Sequence, residues 1–337
     1  MNMNSLRVAV IGLGVGEAHA KSFELHPHCE VTMLCDLSEK TLQKVGASYP
    51  KAVCTKNADE VLDSDHVDVV SIASYDDVHG QQVIKALEQG KHVFVEKPLC
   101  FYESEAKRIH TLLQQGGGQL QLSSNLVLRQ SPRFLQLKDM VVQGRLGDLY
   151  YVEADYNYGR LNKIIDGWRG KLEYYSAMLG GGVHMVDMLC WLVGSPVVEV
   201  MSYGNNICSQ GSDFKFNDLV VGLLNFENDV VAKVSANFGC VQPHFHQMSV
   251  YGTQATFVNG DPFAKLITSR ESTAEPEVID SAYPGVEKGV LIHNFVDSLL
   301  GKARAFVSEN EIFDVMSVCF ALEESMQTSQ PVQVKYL

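Results

Sequence analysis

Leu6-Arg-Val-Ala-Val-Ile-Gly-Leu-Gly-Val-Gly-Glu-Ala-His19 is the stretch on which the fold turns. Arg7–Ile11 reads as a short buried strand, glycines follow at 12, 14 and 16, and a helix-forming run then begins. A strand that breaks into a glycine-rich turn and continues as a helix brings backbone N–H groups up to an anion, with no side chains in the way. A dinucleotide pyrophosphate fits that arrangement. The Gly-x-Gly-x-x-Gly fingerprint is imperfect, because Glu17 stands where its third glycine belongs and Gly16 comes one position early. Two other readings stay open at this point. The same spacing serves methyltransferases that bind adenosylmethionine, although the acidic residue expected two positions before the first glycine is Val10 here; or the glycines merely make a tight turn.

Working outward, residues 6–123 alternate short apolar runs with helical stretches. The strands are expected at Arg7–Ile11, Glu30–Cys35, Val67–Ala73 and His92–Val95, with weaker candidates at Ala52–Cys54 and Gln119–Ser123. That rhythm is the mark of parallel strands joined by crossover helices. Asp36 ends the second strand 24 residues after Gly12, close to the roughly 20-residue spacing of a ribose-binding carboxylate. Leu37 and Ser38 offer no arginine for a 2′-phosphate, so NAD is favoured over NADP. The competing role for Asp36 is to cap the helix starting near Ser38.

After about Asn125 the rhythm changes. Helices are expected near Pro132–Val142 and His184–Leu192, and long alternating strands near Val197–Tyr203, Leu219–Phe226, Val230–Phe238 and Met248–Tyr251. Helical stretches at Gly289–Leu300 and Asn310–Gln327 close the chain. The expected fold class is α/β: a doubly wound parallel Rossmann sheet over residues 1–124, then an α+β domain over 125–337 with a large open, mostly antiparallel sheet. The last helices are allowed to pack back on the first domain.

Composition supports a soluble, folded enzyme-sized chain. At 337 residues, 46% hydrophobic and 20% charged, it has material for two domains. A net charge of −13 without a basic segment argues against nucleic acid, and no apolar run approaches the roughly 20 residues of a membrane span. A cytoplasmic location is expected. The eight cysteines show no Cys-x-x-Cys pair, so they are read as reduced, small core residues. His244 and His246 share one side of a strand without a third ligand, so no metal is expected.

Strand His92–Val95 runs into Glu96-Lys97-Pro98. With it stand Ile72-Ala73 and His79, Arg129-x-x-Pro132 followed by Gly144-Arg-Leu-Gly147, and Gly182-Val-His184-x-x-Asp187. In this order, over nearly the whole chain, the set resembles the Gfo/Idh/MocA oxidoreductases, the family named for glucose-fructose oxidoreductase and inositol dehydrogenase. The resemblance implies an NAD(P)-dependent dehydrogenase acting on a CH–OH donor, a sugar, polyol or nucleotide-sugar of carbohydrate metabolism. It also implies a homodimer or homotetramer. Gly12, Gly14, Val15, Gly16, Asp36, Ala73, Ser74, His79, Glu96 and Lys97 would touch the cofactor. Lys97 would steady negative charge on the reacting oxygen, and Lys97-Pro98 is expected to be a cis peptide.

His184 is the expected catalytic base, since an imidazole suits removal of a hydroxyl proton near neutrality. It follows the triple glycine Gly180–Gly182, read as a flexible or close-approaching backbone, and opens an amphipathic helix. Asn125, Tyr158, Trp168, Arg169 and Asp187 join His184 as substrate contacts, with Trp168 able to stack on a sugar ring and Arg169 or Arg160 able to hold an acidic group. One departure matters: many family members carry Asp four residues before this histidine, and here that residue is Gly180. Tyr158 or Asp166 could enter the site in its place, or His184 and Lys97 could suffice. The same gap motivates the alternative of a non-catalytic regulatory protein that senses NAD or a sugar.

Overall fold

The computed structural model describes residues 5–287 and 289–337. Residues 1–4 of the expected first domain and residue 288 of the second lie outside the described residues. Two compact units divide the chain: Met1–Leu126 with Glu287–Phe313 and Leu337, and Val127–Val286 with Asp314–Tyr336.

In the first unit, strands β1 (Leu6–Ile11), β2 (Cys29–Cys35), β3 (Val53–Thr55), β4 (Val69–Ile72), β5 (His92–Val95) and β6 (Leu122–Ser124) form a parallel sheet in the order β3-β2-β1-β4-β5-β6. This is the doubly wound order whose strand reversal between β1 and β4 opens a crevice at the carboxyl ends. Helices α1 (Gly16–Leu25), α2 (Glu39–Gly46), α3 (Ala58–Leu62), α4 (His79–Glu88) and α5 (Glu103–Gln115) make the crossovers. Val8, Ala9, Val10, Val69, Val70, Val93, Phe94 and Val95 have no solvent exposure. Cover on both faces explains why these strands read as continuous apolar runs.

The second unit opens with α6 (Pro132–Val142), whose proline sits at the first helical turn where its missing N–H costs no hydrogen bond. Strand β7 (Leu149–Asn157), short helix α7 (Leu161–Ile165) and helix α8 (Val183–Val193) come next. Strands β8 (Val197–Asn205), β9 (Leu219–Phe226), β10 (Val231–Asn237), β11 (Phe245–Gly252), β12 (Thr256–Val258), β13 (Ala264–Ile267) and β14 (Glu277–Ile279) follow. Helix α9 (Val290–Leu299), which belongs to the first unit, and helix α10 (Glu309–Thr328) precede edge strand β15 (Val332–Gln333). The sheet runs β14-β13-β12-β11-β7-β10-β9-β8-β15, antiparallel except for the central β7–β10 pair.

Strand β7, at the heart of this sheet, was not among the expected strands. Its signal is nonetheless regular: Val152, Ala154 and Tyr156 are buried, while Tyr151, Glu153 and Asp155 face the other side. Helix α8 departs from the amphipathic expectation because it lies against β7 with Val183–Leu189 all buried. Of the cysteines, 29, 35, 100 and 319 are core residues as expected, whereas Cys54 and Cys208 are exposed.

Candidate functional site

The glycine loop has a distinct physical reason at each position. Gly12 has φ +85°, and a Cβ there would fall on the Ala73 carbonyl, so only glycine fits. Gly14 has nothing within 4 Å of where a Cβ would stand, which leaves the open approach a pyrophosphate needs. At Gly16 a Cβ would lie 2.9 Å from Val10 Cγ1 and 3.3 Å from Ala73 Cβ. Gly16 therefore supplies the close helix-on-strand packing that the fingerprint usually assigns to its third glycine. That frees position 17, where Glu17 pairs with Lys44 at 2.9 Å on the surface. Val15 caps α1 without a side-chain hydrogen bond and is 58% exposed, so the helix N-terminus faces outward and can receive an anion.

Asp36 closes the loop from β2. Its Oδ2 accepts the Leu13 N–H at 2.7 Å and its Oδ1 the Ser38 N–H at 2.8 Å. A ribose role stays compatible with these contacts, because a carboxylate has lone pairs left after two backbone bonds. Ser38, rather than Asp36, caps α2 through its contact with the Thr41 N–H. The open cradle at Gly14 and this carboxylate at the end of β2 fit an NAD pyrophosphate and ribose.

Glu96 organises the end of β5. It accepts hydrogen bonds from Asn125 Nδ2 at 2.7 Å and His19 Nε2 at 3.1 Å, and a longer one from the Lys97 N–H at 3.3 Å. Burial alone would raise its pKa, but His19, Lys97 and Asn125 outweigh burial and bring it down to about 2. Asn125, expected to contact substrate, is therefore a partner of Glu96. His19 was missed altogether; the signal available was a histidine on the same face of α1 as the buried Ala20 and Phe23. Its other nitrogen meets Ser71 Oγ at 3.0 Å.

His79, expected at the cofactor, has no solvent exposure. Its Nδ1 donates to the Pro98 carbonyl at 2.8 Å and its Nε2 lies 3.3 Å from the Ser74 carbonyl. It braces the turn that carries Lys97 instead of facing a ligand. Ser74 in turn donates to Gln82 Oε1 at 2.7 Å. The Lys97-Pro98 bond is cis, as expected.

In the second unit, the triple glycine is buried and makes the close backbone approach expected of it. Met178–Gly182 form one π-helical turn leading straight into α8, a local irregularity often found at functional sites. A Cβ on Gly181 would stand 2.6 Å from Tyr156 and 2.9 Å from Phe238, and one on Gly182 would meet Met178 and Ala236. The glycines let this turn lie directly on the β7–β10 surface. His184 emerges from it 8% exposed, its ring 6.2 Å from Tyr156 and tilted 22° from parallel, with His246 edge-on at 6.2 Å.

Asp187 is a structural residue. Its carboxylate is gripped by Arg129 through Nε at 3.0 Å and Nη2 at 2.6 Å, both residues being almost wholly buried. The expected substrate contact gives way to this ion pair. Trp168 is covered on one face by the Arg169 guanidinium at 4.2 Å, and Arg160 lies over Tyr158 at 5.7 Å. Tyr158 also stacks on Tyr156.

His246 is the residue whose role the sequence concealed. It sits opposite Tyr156 in the β7–β11 register. Its backbone N–H donates to Tyr283 Oη at 3.0 Å, and the same hydroxyl lies 2.6 Å from Nδ1. The Tyr283 hydroxyl thus holds His246 at both its backbone N–H and its Nδ1. Burial, assisted by His244, lowers its pKa to about 3, which keeps the ring neutral. Burial likewise pushes the Tyr283 phenol up. Among the described residues no His/Cys/Asp/Glu group could hold a metal ion, and no helix is long and apolar enough to cross a membrane.

A dinucleotide-binding Rossmann unit followed by a mixed sheet carrying a buried histidine defines an NAD-binding oxidoreductase. Residues 6–124 match the oxidoreductase family NAD-binding Rossmann fold and residues 134–258 the C-terminal domain of the same family, so the chain belongs to the Gfo/Idh/MocA family. It is 24% identical over 264 residues to scyllo-inositol 2-dehydrogenase (NAD(+)) of Bacillus subtilis (76% of this chain, 74% of that protein). It is also 24% identical over 257 residues to D-glucoside 3-dehydrogenase of Escherichia coli (71% and 72%). A levoglucosan dehydrogenase solved with NADH shares the fold at TM-score 0.85 and 18% identity, over 99% of this chain and 100% of that one.

Proposed function

We propose that this protein transfers a hydride between NAD and a secondary hydroxyl of a sugar or polyol, with His184 handling the hydroxyl proton. The observation that carries the reading is the setting of His184. It is a nearly buried imidazole at the head of α8, against Tyr156 and beside the neutral His246. Such a pocket removes water from a proton-transferring base and sets a neutral imidazole beside it. NAD, when bound, supplies the hydride acceptor. The Glu96 clamp holds the backbone of Lys97, whose ammonium steadies charge developing on the reacting oxygen. Relatives named for an inositol and a glucoside support a polyhydroxylated substrate.

NAD is preferred to NADP in this reading, because the Asp36 carboxylate would repel a 2′-phosphate and its neighbour Leu37 is a 71% exposed apolar side chain. Asp36→Ser with Leu37→Arg should move the preference toward NADP; an unchanged ratio of the two cofactors' kcat/KM would refute the ribose role. A second copy of the chain is expected against the outer sheet face around Tyr151 and Leu223, which sedimentation would reveal.

The test is NADH formation from NAD with a panel of polyols, free sugars, uronic acids and nucleotide-sugars, alongside His184→Ala. A general base is worth about 10²–10⁴-fold in rate, so the variant should lose at least that factor on the compound that reacts. NADH binding with no turnover of any compound would favour a regulatory sensor instead.

A further inference from the structure

After Val127–Val286 have built the second unit, the chain returns to the first as α9, and a cluster of histidines receives it. His26 caps the C-terminal end of α1, and His28 lies in the turn before β2, their rings 5.8 Å apart. From α9 come Asp297, 3.5 Å from His26 Nε2, and His293, whose ring stands 5.6 Å from that of His26. His293 Nε2 donates to the Ser22 carbonyl of α1 at 2.9 Å. Gly289, at φ +94°, lets the start of α9 close on the Ser22 side chain, which a Cβ there would strike. Lys302, just past α9, donates from Nζ to His28 Nε2 at 2.6 Å. Deeper in, Phe295 of α9 packs on Phe94 of β5 at 5.8 Å.

Two of these rings have a nitrogen that must stay bare. His26 Nδ1 accepts the His28 backbone N–H at 3.3 Å, and a backbone N–H can only donate. His28 Nε2 faces an ammonium, which likewise has no lone pair to offer. Each ring is therefore neutral in the closed arrangement, and a proton added at either nitrogen breaks a contact. His293 differs, since a carbonyl only accepts: its Nε2 carries the hydrogen, and the bond to Ser22 survives protonation. Burial, with the charge His293 and His28 would add, holds His26 below the usual histidine range, while the partly exposed Asp297 pulls the other way without prevailing. Cys29, its Sγ 4.0 Å from His26 Nδ1, and Glu24, which accepts the Val31 N–H, also line this corner.

We propose that α9 is an acid-sensitive strap: protonation of His26 and His28 releases it from α1, the helix that begins at Gly16 in the cofactor loop. The strap belongs wholly to the first unit and owes nothing to the hydride-transfer reading. Because the closed form resists the proton at His26, its contribution is present above the ordinary histidine midpoint and is lost as pH falls below it. From pH 7.5 to 5.5, a closed strap that refuses one proton loses about tenfold in population against the open form.

Hydrogen exchange of the full chain tests this at the same two pH values, read by mass spectrometry over residues 16–25 and 289–302 and corrected for the intrinsic pH dependence of amide exchange. Wild type should lose about tenfold or more in protection over both segments. His26→Asn/His28→Gln keeps an acceptor oxygen near each committed nitrogen but takes up no proton, so its protection should change by less than about twofold. His293→Gln, which keeps a donor for Ser22, should respond to acid as the wild type does. A wild type still protected at pH 5.5 overturns the proposal, as does an equal loss in wild type and double variant, since the titrating groups would then lie elsewhere. Opening of α9 with α1 still protected overturns it too, by removing the link to the cofactor loop. If the double variant does not fold, the wild-type His26 ring resonances decide by NMR. A His26 that takes its proton while residues 289–302 stay protected overturns the proposal, and one that takes it only as protection is lost supports it.

Discussion

Glu96→Gln isolates the electrostatic part of the clamp at the end of β5. The carboxyl is held at about 2 against an ordinary 4.5, and its side chain is 14% exposed, so solvent screening is slight. At about 1.4 kcal/mol per pH unit, that difference corresponds to about 3 kcal/mol of stability at neutral pH. The folded-state pKa lies below the unfolded one, so the contribution is present above pH 4.5 and is lost as pH falls toward 2. By pH 3 less than half of it remains. Glutamine keeps the shape and one acceptor oxygen for Asn125 and His19 but removes the charge, and its NH2 cannot accept the longer bond from the Lys97 N–H. For a domain of this size, about 3 kcal/mol is a fall of roughly 6–12 °C in Tm. Circular dichroism melts of wild type and variant without cofactor, at pH 7.5 and pH 3, give the gap directly. A wide gap at pH 7.5 that narrows by more than half at pH 3 fits the charge argument. A gap of equal width at both pH values would refute it and assign the loss to packing.

Three further outcomes follow from other contacts. Gly14→Ala should fold as well as the wild type, its Cβ meeting nothing, yet bind NADH at least tenfold more weakly by fluorescence titration; unchanged affinity would move the pyrophosphate elsewhere. Gly12→Ala should lower Tm as well, because of its φ of +85° and the Ala73 carbonyl, and an unshifted melt would contradict the strain. Arg129→Met leaves Asp187 buried without its cation and should cost about 3–5 kcal/mol in urea unfolding, against which a loss below 1 kcal/mol would count.

Much of this architecture was legible because it is local. The Rossmann strands, the helix Pro132–Val142 and strand Leu219–Phe226 follow from apolar period and punctuation within windows of about ten residues. Strands β12, β13 and β14 are three or four residues each, too short for a period to emerge, and were not foreseen. The glycine loop was legible in kind, but which glycine does what needed Ala73 and Val10 in place around it.

The site itself was legible only by residue type, because its chemistry lies in pairings across long stretches of chain. His19 meets Glu96 77 residues away, Arg129 meets Asp187 58 residues away, and Tyr283 meets His246 37 residues away. No spacing rule reaches that far. Each pairing takes a residue that a motif would assign to a ligand, or leave unassigned, and gives it a fixed partner: Asn125 to Glu96, Asp187 to Arg129, His79 to the Pro98 carbonyl. That leaves a smaller set for the proposed chemistry, with Lys97 on a braced turn in the first unit and His184 on an aromatic floor in the second.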